Sequence, residues 1–110
     1  MEHPIVLTAF PVKDLEKAKA FYTAYLGVEP YVDSPYYVGY KVGDREVGLD
    51  PHGEMIISYI DVEDIEVSIK ELEAAGATVH DAPKNVGGGL MIATVKDADG
   101  NVVGFRQAPK

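Results

Sequence analysis

Three histidines and several carboxylates are the side chains of this sequence that could bind a metal ion or move a proton. His3 and His52 share one strand alternation. Glu46 and Asp50 fall on the same alternation, so a displaced divalent-metal site built from these groups is conceivable. The favoured interpretation places His3 in a loose N-terminus, His52 in the Pro-His-Gly linker between two units, and His80 at the surface after a helix. The displaced metal site is the alternative.

Other catalytic chemistry finds little support in the residue types. The sequence of 110 residues contains no cysteine, which excludes thiol nucleophiles, thiolate metal sites and disulfides. Ser58 and Ser68 are predicted on the helix-facing side of a strand and on a helix, which are poor positions for a nucleophile. No glycine-rich phosphate loop follows a predicted strand.

Tyrosines are better candidates for ligand binding. Six of the seven lie in the region between residues 22 and 40. Tyr22 and Tyr25 have the spacing of helix-packing residues. Tyr36, Tyr37 and Tyr40 lie on a predicted strand and alternate between its faces, so at least one should reach a cleft or an interface. A ring with a polar tip suits ligand stacking combined with one hydrogen bond.

An internal repeat indicates which elements position these side chains. Residues 12–16 (Val-Lys-Asp-Leu-Glu) reappear as residues 62–66 (Val-Glu-Asp-Ile-Glu), a displacement of 50. Residues 47–49 (Val-Gly-Leu) are echoed by residues 103–105 (Val-Gly-Phe), a displacement of 56. Self-similarity at this period predicts a repeat architecture.

Each copy predicts one helix followed by short strands. Asp14 and Asp64 are placed to cap the helices, which should end near Gly27 and Gly76. The apolar positions with helical spacing are Leu15, Ala18, Phe21, Tyr22, Tyr25 and Leu26, then Ile65, Ile69, Leu72 and Ala75. Strands are predicted over residues 36–42, 46–50, 90–96 and 102–106, with residues 28–31 and 78–80 completing the two sheets. Residues 81–90, with three consecutive glycines, should form either a flexible connector or a lid.

The expected fold class is α+β: one domain over residues 1–110, made of two tandem βαβββ modules at about 1–52 and 53–110. One helix cannot cover both faces of a module's sheet, so the helices should lie outside a half-barrel with a concave cleft. The residues predicted to bind a ligand there are Leu7, Ala9, Tyr36, Tyr37, Tyr40, Glu46, Gly48, Asp50, Ile57, Tyr59, Asp61, Met91, Gly104 and Arg106. Gly48 and Gly104 would either relieve strand twist or leave space for a flat ligand. Arg106 could pair with Asp50 or Asp61, or bind an anion.

Three motifs in order resemble a known family. They are residues 10–18 (Phe-Pro-Val-Lys-Asp-Leu-Glu-Lys-Ala), residues 74–79 (Ala-Ala-Gly-Ala-Thr-Val) and residues 97–101 (Asp-Ala-Asp-Gly-Asn). With them, nearly the whole chain resembles the vicinal oxygen chelate superfamily of glyoxalases, bleomycin-resistance proteins and extradiol dioxygenases. The resemblance implies metal ligands on the first and last strands of each module. The matching positions are Leu7, Gly48, Ile57 and Gly104, whose side chains cannot ligate a metal, so no metal and no cofactor is expected.

These observations favour a small-molecule-binding protein that sequesters a cationic or aromatic compound. The alternative implied by the resemblance is a metal-dependent lyase, isomerase or dioxygenase of glyoxalase type with displaced ligands. A third interpretation is a protein-pairing role, and the resemblance also implies a homodimer. The net charge of −8 argues against nucleic acid as a partner, and no apolar run is long enough to span a membrane. A cysteine-free chain whose start lacks signal-peptide features is expected in the cytoplasm.

Overall fold

Each copy of the repeat forms a βαβββ unit. A computed structural model describes residues 2–110, and these fall into two compact units, Val6–Ile57 (the N-terminal unit) and residues 2–5 with Ser58–Lys110 (the C-terminal unit). In chain order the elements are β1 (Ile5–Pro11), α1 (Leu15–Leu26), β2 (Val32–Asp33), β3 (Val38–Val42), β4 (Arg45–Asp50), β5 (Ile57–Asp61), α2 (Ile65–Ala74), β6 (Thr78–Asn85), β7 (Met91–Lys96) and β8 (Val102–Gln107). The predicted α+β class with two βαβββ modules is confirmed.

The sheets of the two units have the same strand order and pairing. The N-terminal unit has the order β2-β3-β4-β1 and the C-terminal unit the order β6-β7-β8-β5. In each, the first and last strands are parallel and the other pairs are antiparallel. Ala9 pairs with Gly48, and Tyr59 pairs with Gly104. These two pairs are related by the displacements of 50 and 56 found in the sequence, so the repeat extends to the register of the strands.

The helices begin at the predicted aspartates. The Asp14 carboxylate accepts a hydrogen bond from the Lys17 backbone N–H at 3.1 Å. The Asp64 carboxylate accepts hydrogen bonds from two backbone N–H groups of the first turn of α2. Helix α1 ends at Gly27, whose left-handed φ of +73° few other residues adopt without strain. Both N-terminal caps and this C-terminal stop agree with the prediction.

In the N-terminal unit, α1 packs on one face of the sheet. The buried centre consists of Val38, Tyr40 and Leu49. Helix residues that pack against this centre are Leu15, Ala18, Tyr22 and Leu26. The prediction that Phe21 and Tyr25 also face the core is wrong, since their side chains are 63% and 74% exposed. A helix on a single sheet can bury only a stripe narrower than the one these six residues would form.

In the C-terminal unit, α2 packs on the sheet in the same way. The buried centre consists of Ile65 and Ile69 from the helix with Ala93, Val95 and Phe105 from the strands. Leu72 is half-buried beside them, as predicted from its spacing, whereas Ala75 is an exposed residue just after the helix.

Two strand predictions are corrected by the structure. The strand expected over residues 28–31 lies at Val32–Asp33. The segment expected to be a loop from residue 81 onward continues as strand β6 to Asn85 and then turns. The Asn85 side chain accepts hydrogen bonds from the N–H groups of Gly87 and Gly89, which link the glycine turn to the end of β6. Among residues 2–110, no helix has the length and apolar character needed to cross a membrane.

Candidate functional site

The predicted binding residues mostly lie on the sheet face that the helix leaves uncovered, here called the helix-free face of each unit. In the N-terminal unit the core residues Val47 and Leu49 face α1, so their neighbours on β4 face the other way. This places Glu46, Gly48 and Asp50 on the helix-free face. Leu7 and Ala9 join the same face because they pair with Glu46 and Gly48. In the C-terminal unit the corresponding face carries Ile57, Tyr59, Asp61, Gly104 and Arg106. Their part in binding stays a prediction.

A tyrosine ring lies over a strand glycine on the helix-free face of the C-terminal unit. A Cβ atom added to Gly104 would overlap Cδ2 and Cε2 of Tyr59 and lie 3.0 Å from its Cγ. Tyr59 is 9% exposed. The glycine therefore makes room for the ring of its parallel-strand partner, and the space above its Cα is filled by protein.

The N-terminal unit repeats this arrangement with a different tyrosine. A Cβ atom on Gly48 would overlap the Tyr37 hydroxyl and lie 2.7 Å from Cζ. Gly39 is the antiparallel partner of Gly48. A Cβ atom added to Gly39 would lie 3.1 Å from the Tyr37 ring and 3.3 Å from the Tyr31 ring. Two adjacent glycines thus form a flat backbone floor under two tyrosine rings.

A cation already contacts one of these tyrosines, Tyr31. The Lys41 ammonium lies 4.6 Å from the centroid of the Tyr31 ring, within the range of a cation–π interaction. The Tyr31 hydroxyl donates a hydrogen bond to the Glu46 carboxylate. Lys41 and Glu46 are also cross-strand neighbours. The helix-free face of this unit therefore has the parts of a cation site: an exposed ring, a second ring beside it and a carboxylate.

Arg106 pairs with Asp61 on the neighbouring strand. Its Nε and Nη2 donate hydrogen bonds to the two carboxylate oxygens at 2.8 and 3.3 Å. The arginine side chain is 16% exposed and the aspartate 58%. Of the partners considered from the sequence, Asp61 is thus the one observed. The pair compensates the arginine charge, which leaves less attraction for an anion.

A polar cluster that the sequence prediction missed lies on the same face of the C-terminal unit. Thr94, 3% exposed, accepts a hydrogen bond from the Asp81 backbone N–H at 3.1 Å. Its hydroxyl donates to the Asp81 carboxylate at 3.4 Å and lies 3.2 Å from His80 Nδ1. His80 is an exposed residue after α2, as predicted, but its contact with Thr94 was not foreseen. The sequence signal that could have found it is a histidine–aspartate pair next to a run with strand character.

Three of the predicted binding residues are not on the helix-free face. Tyr40 is fully buried under α1, where its hydroxyl donates a hydrogen bond to the Lys19 carbonyl at 3.1 Å and lies 2.9 Å from the Thr23 hydroxyl. Met91 packs against the core on the α2 side. Tyr36 precedes strand β3, in a bend, and is 73% exposed. Tyr40 and Met91 are therefore core residues.

No metal cluster is assembled from the histidines and acids considered in the sequence. In the part of the chain from residue 2 onward, no three or more His, Asp or Glu side chains are grouped so that they could hold a metal ion. The Asp50 carboxylate instead accepts a hydrogen bond from the His52 backbone N–H at 2.8 Å, as is usual in a turn.

An open groove of about 470 Å³ lies elsewhere on the N-terminal unit, and it contains none of the predicted binding residues. Its lining consists of Glu16, Lys19, Ala20, Thr23, Ala24, Glu29, Pro30 and Asp33. Hydrogen bonds to Asp33 and to Glu16 raise the pKa of Lys19, whose ammonium lies 3.3 Å from both carboxylates. The only lysine of the groove is thus paired with acidic neighbours.

Comparisons with known proteins agree with this fold. A family profile described as the Glyoxalase/Bleomycin resistance protein/Dioxygenase superfamily matches residues 5–105. No curated protein matches the sequence.

Three solved structures show the extent of the similarity. A hypothetical protein from Bacillus halodurans has a TM-score of 0.79 at 17% identity, covering 100% of this chain and 97% of that one. A superfamily member from Vibrio splendidus has a TM-score of 0.71 at 20% identity, covering 96% and 98%. The methylmalonyl-CoA epimerase of Streptomyces coelicolor has a TM-score of 0.72 at 14% identity, covering 96% and 97%. At these identities the structures support the fold alone. Together with the family profile they confirm the resemblance, and the chain belongs to the glyoxalase/bleomycin resistance protein/dioxygenase superfamily.

Proposed function

We propose that this protein binds and sequesters a small organic cation, one that carries an aromatic group, on its helix-free faces. The observation that carries the proposal lies on the N-terminal unit, where the half-exposed Tyr31 ring and Tyr37 lie over two strand glycines beside the Glu46 carboxylate. Rings laid against a sheet give a flat apolar surface with hydroxyl groups at its edge. Ligand sites of small molecules commonly combine such surfaces with a few polar groups.

The charges of the N-terminal unit support a cationic ligand. Glu46 and Asp50 bring two carboxylates to this face, where they accept hydrogen bonds from the Tyr31 hydroxyl and the His52 backbone N–H. Lys41, which shares the face, lies over the Tyr31 ring. The net charge of −8 adds a long-range attraction for cations. In this proposal the ligand's cation takes the place of the Lys41 ammonium beside Tyr31 and Glu46.

A set of four benzene derivatives tests this function. Trimethylphenylammonium and benzamidine are cations, benzamide is neutral and benzoate is an anion. Titrations followed by backbone amide NMR shifts should show both cations binding with dissociation constants on the order of millimolar. The cations should bind about 2–5-fold more tightly than benzamide, as a partly exposed cation–π contact allows. Benzoate should bind most weakly.

Two variants locate the site and one controls for general effects. Lys41→Met removes the internal cation and should raise the affinity for trimethylphenylammonium about 2–5-fold. Tyr31→Leu keeps apolar volume without the ring and should lower it by a similar factor. Val67→Ala changes an exposed apolar side chain on α2, away from the helix-free faces and from the proposed dimer surface, and should have no effect. Equal affinity for cations and benzoate, or loss of affinity in Lys41→Met, would remove the proposal.

We also propose that the protein acts in the cytoplasm as a homodimer. Exposed Phe21 and Tyr25 stack on each other with ring centroids 6.3 Å apart, forming an aromatic surface on α1 of the kind that often lies in interfaces. Sedimentation velocity at two concentrations should show a dimer, and a strictly monomeric species at the higher concentration would contradict this part.

A further inference from the structure

A β-bulge brings His80 to the helix-free face of the C-terminal unit. Val79 pairs with Val95 and Asp81 with Thr94, so His80 is an extra residue inserted between two consecutive pairs. In a regular strand, His80 and Asp81 would point to opposite faces. Here both side chains reach Thr94, which lies on the helix-free face as the cross-strand partner of Gly104. The bulge therefore directs two polar side chains to one face.

The His80 imidazole contacts its neighbours through Nδ1 and leaves Nε2 available to a ligand. His80 Nδ1 lies 3.2 Å from the Thr94 hydroxyl oxygen and 3.3 Å from the Asp81 carboxylate. A carboxylate only accepts hydrogen bonds, so the neighbouring Asp81 favours the tautomer of the neutral ring with its proton on Nδ1, and that tautomer presents a lone pair on Nε2. Within residues 2–110, Nε2 has no hydrogen-bond partner, and the side chain is 29% exposed.

The held imidazole lies at the end of a continuous row across the sheet. Tyr59 pairs with Gly104, Gly104 with Thr94 and Thr94 with Asp81. The row therefore runs from an aromatic ring, over a glycine, to a buried hydroxyl and the His80–Asp81 pair. Its partners are fixed by strand pairing and by hydrogen bonds, so the acceptor Nε2 is oriented before any ligand arrives.

We propose that His80 is a ligand-binding residue whose Nε2 accepts a hydrogen bond from an N–H group of a cationic ligand. The inference rests on the proposed function, because it assumes that a ligand occupies a helix-free face. It adds a requirement that charge and aromaticity do not supply: the ligand must be a donor, such as an amidinium, guanidinium or primary ammonium. A quaternary ammonium satisfies the charge but has no hydrogen to give.

The test compares benzamidine with trimethylphenylammonium, which are both aromatic cations. Dissociation constants are read at the backbone amides of Thr94 and Gly104, so that they report on the C-terminal unit separately. In the wild-type protein benzamidine should bind about tenfold more tightly, the effect of one hydrogen bond to a charged group. His80→Asn keeps a polar group at the Nδ1 position but lacks an acceptor at the Nε2 position. In this variant the ratio of the two dissociation constants, trimethylphenylammonium to benzamidine, should fall to about one. His80→Gln places an oxygen near the Nε2 position and should keep at least part of the ratio, while His52→Asn, in an exposed turn, should not change it.

Long-range proton–nitrogen NMR tests the anchoring without any ligand, and it should show the neutral ring protonated on Nδ1. An Nε2-protonated ring, or a ratio in His80→Asn equal to that of the wild type, would overturn the inference while cation binding and the proposed function still stand. If neither cation binds the wild-type protein at either unit, the proposed function fails first and the inference with it. The two failures are therefore distinguishable.

Discussion

The tyrosine-over-glycine arrangement makes a quantitative prediction for Gly104→Ala. At most strand positions this change removes backbone freedom from the unfolded chain and stabilises by about 0.4–1 kcal/mol. At Gly104 the new methyl would overlap two ring carbons of Tyr59 and lie 3.0 Å from Cγ, the ring atom closest to the backbone. Since Cγ moves little with rotation of the ring, Tyr59 as a whole must shift, and overpacking of this kind costs about 1–3 kcal/mol. The expected net loss is about 2 kcal/mol, which lowers the melting temperature by about 8–16 °C.

Gly48→Ala is the matched comparison. Its methyl would meet the hydroxyl, Cζ and Cε1 of Tyr37, the outer end of a half-buried side chain that follows a bend. Atoms at the far end of a side chain are displaced with a smaller change of its torsion angles than Cγ is, so the expected loss is smaller than at Gly104, less than about 1 kcal/mol. Urea unfolding of both variants measures the difference. In a Tyr59→Ala background, Gly104→Ala should cost nothing or become stabilising. An unchanged cost in that background, or a Gly104→Ala protein as stable as the wild type, would refute the steric explanation.

Two further predictions concern groups away from the helix-free faces. Tyr40→Phe removes a buried hydroxyl that donates to the Lys19 carbonyl and contacts the Thr23 hydroxyl, so the free energy of unfolding should fall by about 1–1.5 kcal/mol. Tyr36→Phe, at an exposed ring, should change it by less than about 0.5 kcal/mol. A loss of equal size in both variants would contradict the assignment of Tyr40. Hydrogen bonds from the Asn101 side chain, and to a smaller extent from the Asn101 backbone N–H, hold the pKa of Asp97 below its ordinary value of 3.8. The stability that Asp97 provides is therefore present above pH 3.8 and is lost as the pH falls through the lower folded-state pKa. Asp97→Ala should therefore be less stable than the wild type at about pH 7 in urea unfolding, with the difference shrinking at about pH 2.5; a difference that grows on acidification would have the wrong sign.

The repeat in the sequence predicted the parts of the fold that depend on local chemistry. Asp14 and Asp64 cap their helices because a carboxylate at that position accepts the unpaired N–H groups of the first turn. The displacements of 50 and 56 also identified equivalent strand residues, and the structure pairs Tyr59 with Gly104 just as it pairs Ala9 with Gly48. Repeated sequence carries register because both copies bury the same alternating face.

The parts that could not be predicted depend on which neighbour fills a space. The sequence shows Gly104, but only the paired strand shows that the Tyr59 ring occupies the space above it. Tyr40 was predicted to bind a ligand because tyrosine suits a core and a cleft equally well. The groups that satisfy its hydroxyl, on Thr23 and Lys19, come from a helix 17 and 21 residues away in the sequence. His80 is an exposed strand residue after α2, as predicted, but its contact with Thr94 could not be predicted, because alternation fails at a bulge, where one extra residue redirects the side chains around it.

The central claim is that the tyrosines of the helix-free faces receive a cationic ligand. Intermolecular nuclear Overhauser effects between the methyl protons of trimethylphenylammonium and the protein's aromatic protons test it most directly. The account predicts contacts with the rings of Tyr31 and Tyr37, strengthened in Lys41→Met. Contacts confined to Phe21 and Tyr25 on α1, or none at saturating concentration, would contradict it.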